Sequence, residues 1–190
     1  MQIGGLQKLS LINYPQKTAA VIFTQGCNMF CPYCHNPQLV YPNLFEDAIK
    51  EDEVFAFLKK RQKVLQGVVI TGGEPAVQKD LKDFIKRVKE LNYAVKLDTN
   101  GTNPQIAREL IDEKLIDFIA MDIKSPLQKY YLFYKGDIEN IKRSIETIKT
   151  STLPHHFRTT YDKTLLTAAD LENIKELCFP SQHITQECGK

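Results

Sequence analysis

The sequence predicts an α/β fold built on a parallel sheet, and three observations lead to it. Runs rich in Val, Ile and Phe alternate with segments of 3.6-residue apolar periodicity roughly six times along the chain. The β-rich runs lack the in–out alternation of a sheet with one wet face, as expected of strands covered on both sides. No linker, low-complexity tract or repeat divides the 190 residues, so one domain spanning residues 1–190 is expected.

The first candidate strand is 19–24, followed by a Cys-rich segment and a helix over 52–62. The second strand, 67–71, leads into the clearest helix, where Leu81, Phe84, Ile85, Val88 and Leu91 form one stripe with Lys and Glu opposite. The third strand, 94–99, precedes a helix over 104–113. The fourth, 118–123, precedes a helix entered through Asp137 that carries Ile138, Ile141, Ile145 and Ile148. The fifth, 155–161, is followed by a helix over 167–178, where Thr167 and Asp170 make a capping box with Asp in the Glu position. A weaker strand lies near 182–186, and the residues after Pro180 read as a poor sixth strand.

Several function classes are excluded early. A formal charge of +2 asks for neither nucleic acid nor an anionic membrane. The start MQIGGLQKLSLINYP lacks the layout of a secretory signal, and the apolar runs are too short to span a bilayer, so a cytoplasmic protein is expected. Five cysteines, three of them within eight residues, point to metal rather than a disulfide framework.

Chains of βαβ units form an open doubly wound sheet or a barrel-like one, and both gather ligands at the carboxyl ends of the strands. Four polar clusters follow strands directly: 27–35, 71–75, 98–101 and 122–124; a fifth, 158–160, lies within a strand. The unusual chemistry therefore converges on one rim.

The densest cluster reads Cys27-Asn-Met-Phe-Cys31-Pro-Tyr-Cys34-His35-Asn36-Pro37. Three thiolates at these spacings can wrap one face of an iron–sulfur cubane. Such clusters are normally held by four cysteines, and no fourth lies nearby, which leaves one iron open to a substrate or cofactor. Zinc is the alternative, with His35 as a nominal fourth ligand, although adjacent Cys34 and His35 make tetrahedral closure awkward. Gly72-Gly73-Glu74-Pro75 is either an ordinary turn or a place where backbone amides approach a ligand. Asp98–Thr99–Asn100–Gly101 can be a strand end with an Asx turn. Asp122 and Lys124 share a strand face and would make an ion pair on their own. Cys178 falls on an apolar stripe and reads as core; Cys188, His155, His156 and His183 receive no role.

The CxxxCxxC pattern, with Thr71-Gly72-Gly73-Glu74-Pro75, Asp98-Thr99-Asn100-Gly101 and Met121-Asp122-Ile123-Lys124, resembles the radical S-adenosylmethionine (SAM) enzymes. Within them it is similar to the glycyl-radical-enzyme activating enzymes, above all the activating proteins of anaerobic ribonucleoside-triphosphate reductase. Those share a Ser-Leu-Ile-x-Tyr-Pro start and a Phe-Arg-Thr-Thr segment, and the likeness runs from about residue 4 to residue 161. The resemblance implies a laterally open partial (β/α)6 barrel with a [4Fe–4S] cluster on Cys27, Cys31 and Cys34. It implies that the Gly72–Gly73 turn holds the SAM amino group with Glu74 nearby, and that the Tyr33 backbone meets adenine. Asp98, Thr99, Met121 and Asp122 would surround a monovalent cation beside the SAM carboxylate. Lys124 would hold SAM or the target loop, and Arg158 would reach the site, a surface ion pair being its alternative. The implied partners are a glycyl radical enzyme and a flavodoxin- or ferredoxin-like electron donor. No side chain need act as general acid or base. Two other functions stay open: a radical SAM enzyme acting on a small molecule, like 7-carboxy-7-deazaguanine synthase, and a zinc-stabilised binding module without catalysis.

Overall fold

In the computed structural model, which describes residues 1–189, seven strands form one sheet in the order of the sequence: β1 (Ile3–Ser10), β2 (Ala19–Thr24), β3 (Gly67–Gly72), β4 (Ala94–Thr99), β5 (Phe118–Asp122), β6 (His155–Tyr161) and β7 (His183–Glu187). β1 runs antiparallel to β2; every other neighbouring pair is parallel. A doubly wound sheet reverses its strand order at a switch point. This order never reverses, and β7 does not pair back onto β1, so the sheet is an open partial barrel.

Five helices make the crossovers: α1 (Glu51–Arg61), α2 (Leu81–Glu90), α3 (Pro104–Asp112), α4 (Ile138–Thr150) and α5 (Ala168–Cys178). Their starts follow local chemistry. Asp137 accepts a hydrogen bond from the Glu139 amide at the head of α4, and Thr167 and Asp170 form the reciprocal capping box at the head of α5. The α2 stripe buries Leu81, Phe84, Ile85 and Val88 against the sheet. Most of the apolar core lies between sheet and helices, and Cys178 is fully buried in it.

Two elements depart from the sequence reading. β1 was not expected, because Ile3-Gly-Gly-Leu-Gln-Lys-Leu-Ser10 has neither an apolar run nor strand-forming residues at its middle. Its pairing with β2 supplies what its composition does not. β7 does form despite its polar sequence, in parallel register with β6 from Phe157 to Tyr161. It is mostly exposed, which explains why no hydrophobic pattern marks it.

The inner face of the sheet positions the site. Near the amino ends of the parallel strands it is apolar: Tyr14, Ala19, Val21 and Val69 pack with Phe23, Ala94 and Phe118. Period two carries the same face onward through Lys96 and Asp98 on β4, Ala120 and Asp122 on β5, and His156 and Arg158 on β6. The inner face thus turns from apolar to ionic as it approaches the carboxyl rim.

Candidate functional site

A cleft opens at that rim. Cys27, Cys31, Cys34, Tyr33, Gly72, Gly73, Glu74, Asp98, Thr99, Asp122, Lys124 and Arg158 all line it. Every residue singled out from the sequence as a cluster or SAM ligand is therefore in one place, although the residues come from five different strand ends.

The cysteine loop is lightly held. The Cys27 sulfur accepts from the Met29 amide at 3.4 Å, the Cys34 amide donates to the Cys31 carbonyl at 3.1 Å, and the Phe30 amide donates to the Phe133 carbonyl at 3.0 Å. The three thiols are free and partly buried. Burial pushes the Cys27 thiol up to about 11 and raises Cys31 as well, so both carry protons at neutral pH that a bound metal must displace. Cys178 lies in the core and Cys188 beside Tyr161, so among the described residues the cleft holds no fourth cysteine. No three His, Cys, Asp or Glu among the described residues are arranged to close on one metal ion. A mononuclear zinc site needs such closure. A cubane takes one thiolate per corner and so spreads its ligands wider, and three free sulfurs around one cleft fit that donor set. Tyr33 packs its ring on Phe133 with 5.7 Å between centroids, and its buried hydroxyl has no hydrogen-bond partner among the described residues.

The glycine turn differs from expectation in one respect. Gly72 has φ +118°, and a Cβ there would strike the Thr24 backbone; one on Gly73 would strike the Gly26 carbonyl. The glycines are required by the close approach of the β2 loop. The Gly73 and Glu74 amides are not free for a ligand: they donate to the Thr24 and Gly26 carbonyls, both at 2.8 Å. What the turn can offer is carbonyl oxygen, which suits an ammonium group rather than an anion.

Glu74 ties that turn to the end of β4. One carboxylate oxygen accepts from the Ala76 amide at 2.9 Å and the Thr99 hydroxyl at 2.7 Å, and the other from the Asn100 amide at 2.6 Å. Burial pushes its pKa up to about 7, against the opposing pull of these three donors.

Asp98 and Asp122 are held by side-chain cations. Lys96 and Arg158 bracket Asp98, with Arg158 Nη1 at 3.1 Å. Arg158 Nε lies 2.8 Å from Asp122, and Lys124 Nζ lies 3.0 Å from its other oxygen. Burial alone would raise Asp122, but Lys124 and Arg158 hold it well below the usual carboxylate range. Burial opposes the charge on Lys124 and Arg158, yet Asp122 raises both. Arg158 is thus a bridge inside the cleft and no surface pair, while Asp122 and Lys124 do form the ion pair that their spacing allows.

Two contributors escaped the sequence reading. Lys96 is buried at the foot of Asp98; its spacing of two from Asp98 on a strand was the available signal. Asn28, inside the cysteine loop, accepts from Asn100 Nδ2 at 3.0 Å and donates to Thr102 Oγ1 at 2.9 Å, linking the sulfur side to the end of β4. Nothing local announces that link. Of the unassigned histidines, His156 sits on the inner face below Arg158, and burial lowers it to about 4, so it is neutral. Among the described residues no helix is long and apolar enough to cross a membrane.

The profile of the radical SAM superfamily matches residues 21–178, which covers most of β2, the cysteine loop, the Gly72–Gly73 turn and every strand from β3 to β6. The chain belongs to the radical SAM superfamily. A Methanocaldococcus jannaschii protein, provisionally named a glycyl-radical enzyme activating enzyme, is 40% identical over 182 residues, which is 90% of this chain and 73% of that one. A 7-carboxy-7-deazaguanine synthase from Methanopyrus kandleri is 33% identical over 129 residues, spanning 56% of this chain and 49% of its own. Among solved structures, SuiB from Streptococcus suis bound to S-adenosylmethionine superposes with a TM-score of 0.70 at 15% identity, over 90% of this chain and 40% of that one. This last likeness concerns the fold alone. Membership of the superfamily implies a [4Fe–4S] cluster and SAM, and the three free thiols on the cleft suit the first of them.

Proposed function

We propose that residues 1–190 form one radical SAM domain that activates a glycyl radical enzyme. The observation that carries the reading is the 40% identity, over most of both chains, to a protein named as an activating enzyme of that kind. A [4Fe–4S] cluster on Cys27, Cys31 and Cys34, reduced by a flavodoxin- or ferredoxin-like donor, would supply the electron that splits SAM into methionine and a 5′-deoxyadenosyl radical. That radical takes a hydrogen atom from a backbone glycine Cα of the partner, giving 5′-deoxyadenosine and a glycyl radical. The partner most in keeping with the sequence resemblance is an anaerobic ribonucleotide reductase, and both proteins would work in the cytoplasm.

The chain's own residues bind and orient. Carbonyls of the Gly72–Gly73 turn receive the SAM amino group, and Glu74 and Thr99 fix that turn against β4. The Tyr33 backbone meets adenine, and Lys124 and Arg158, pinned by Asp122 and Asp98, face the SAM carboxylate. None of these steps needs a general acid or base, because orientation decides which C–H bond the radical meets.

The 33% identity to a 7-carboxy-7-deazaguanine synthase supports a second reading, a small-molecule substrate in the same cleft. One experiment separates the two. The chain is reconstituted anaerobically with iron and sulfide, reduced, and given SAM with an anaerobic ribonucleotide reductase from the same cell. The expected result is about four irons per chain, 5′-deoxyadenosine, and a glycyl radical on the partner by electron paramagnetic resonance. Nucleoside formation without a protein radical under any partner would favour the small-molecule reading. Bound zinc with no nucleoside would remove both.

A further inference from the structure

The carboxylates that the family resemblance gives to a monovalent cation are already paired with side-chain cations. Both oxygens of Asp98 are engaged, one by the Lys96 ammonium and one by Arg158. Both oxygens of Asp122 are engaged, by Arg158 and Lys124. The Thr99 hydroxyl donates to Glu74 and accepts from the Gly101 amide at 3.1 Å. Three cationic side chains, Lys96, Lys124 and Arg158, therefore already balance Asp98 and Asp122 before any ion enters. In a buried setting a further cation would lie close to these three positive heads with little screening. Hard monovalent ions need oxygen ligands, and each of these four carboxylate oxygens already carries an ammonium or guanidinium that an entering ion would have to displace or sit beside.

Lys96 is the residue that makes the difference. It is 2% exposed, it sits two positions before Asp98 on the inner face of β4, and among the described residues its ion pair is with Asp98 alone. Burial lowers its pKa and Asp98 opposes that shift. An ammonium approaching a carboxylate from beneath the cleft does what a bound potassium or sodium ion would do there. It fixes the carboxylate's rotamer and balances its charge.

We propose that Lys96 is a built-in replacement for the monovalent cation, a positioning residue that lets this chain organise its SAM site without an ion. The proposal rests on the SAM-binding reading of the cleft. Its consequence is that the electrostatics of the site are set by the chain and not by the salt around it.

The test compares cluster-loaded wild type with K96M, which keeps the length of the side chain and removes its charge, and with K96Q, which keeps a hydrogen bond to Asp98. The first readout is thallium(I) NMR without SAM, thallium(I) serving as a potassium-sized probe. Wild type should show no saturable binding, and a folded variant should gain it, with potassium competing. The second readout is SAM affinity in potassium, sodium or N-methylglucamine salts at equal ionic strength. Wild type should not distinguish them. The variant should bind SAM about tenfold more weakly in N-methylglucamine and recover in potassium, a rescue that a merely structural lysine would not give. Saturable thallium(I) binding by wild type would overturn the proposal, and so would folded variants that bind no ion. Failure of wild type to bind SAM at all would strike the proposed function instead, and the thallium(I) titration would still decide the role of Lys96.

Discussion

The two walls of the cleft are built on opposite plans. On the sulfur wall, Cys27, Cys31 and Cys34 have few partners, their loop rests on a handful of backbone hydrogen bonds, and the buried Tyr33 hydroxyl has none. On the carboxylate wall, Asp98, Asp122 and Glu74 use both of their oxygens, and the lysines and arginine that face them are paired in turn. Buried polar groups left without partners are costly. The under-bonded wall is therefore the one completed by something from outside, and the saturated wall is the one that is already in place when it arrives.

The largest expected effect breaks the comparison outright. Cys27→Ala, Cys31→Ala and Cys34→Ala should each abolish iron incorporation, because among the described residues the cleft holds no spare cysteine to replace a lost thiolate. Cys178→Ala should retain full iron, since that thiol is buried in the core and burial pushes it up to about 12. Iron and sulfide analysis of the four variants decides the matter. Equal iron in all of them would mean that the under-bonded wall is not where the metal sits.

How far these walls could be read from sequence follows from the same contrast. The sulfur wall is local: three cysteines within eight residues announce themselves, and one loop carries them all. The strands that deliver the carboxylate wall were also legible, since their Val, Ile and Phe runs end directly in Asp98, Thr99 and Asp122. What could not be read was the wiring between strands. Lys96 between Val95 and Leu97 looks like any polar interruption until β4 is seen to turn that face inward. Glu74 reads as a ligand residue until its acceptors are matched with Thr99 and Asn100, some 25 residues away. Likewise the Gly73 and Glu74 amides look available until the loop after β2 is laid against them. β1 and β7 were faint for a different reason: each is an edge strand whose own composition is poor and whose existence depends on the register of its neighbour.

A second, smaller effect sharpens the description of the saturated wall. Glu74 has an ordinary value of 4.5 that burial pushes up to about 7 in the folded chain. Between those values the folded chain holds a proton that the unfolded chain has released, so rising pH lowers stability. The contribution is whole below about 4.5 and gone above about 7, with a total on the order of 3 kcal/mol. Denaturant midpoints from pH 4.5 to 8 should fall along this window in the wild type, and Glu74→Gln should flatten the slope. An unchanged slope in the variant would mean that Glu74 is ionised throughout, with its three donors outweighing burial.

The smallest effect probes the shortest side-chain link between the walls, beside the longer contact from Asn100 Nδ2 to the Cys27 sulfur at 3.9 Å. Asn28 reaches from the cysteine loop to Asn100 and Thr102, and each of those bonds is partly buried. Removing a neutral hydrogen-bonding partner typically costs about 1 kcal/mol, so Asn28→Ala should lower global stability by roughly that amount. The more telling quantity is the lifetime of the loaded cluster under a chelator. If the cysteine loop is positioned from the carboxylate side, Asn28→Ala should take up full iron yet release it severalfold faster, because the loop is freed while its ligands are kept. An unaltered release rate would show that the bound cluster alone fixes the loop, and that the two walls meet in space without being coupled.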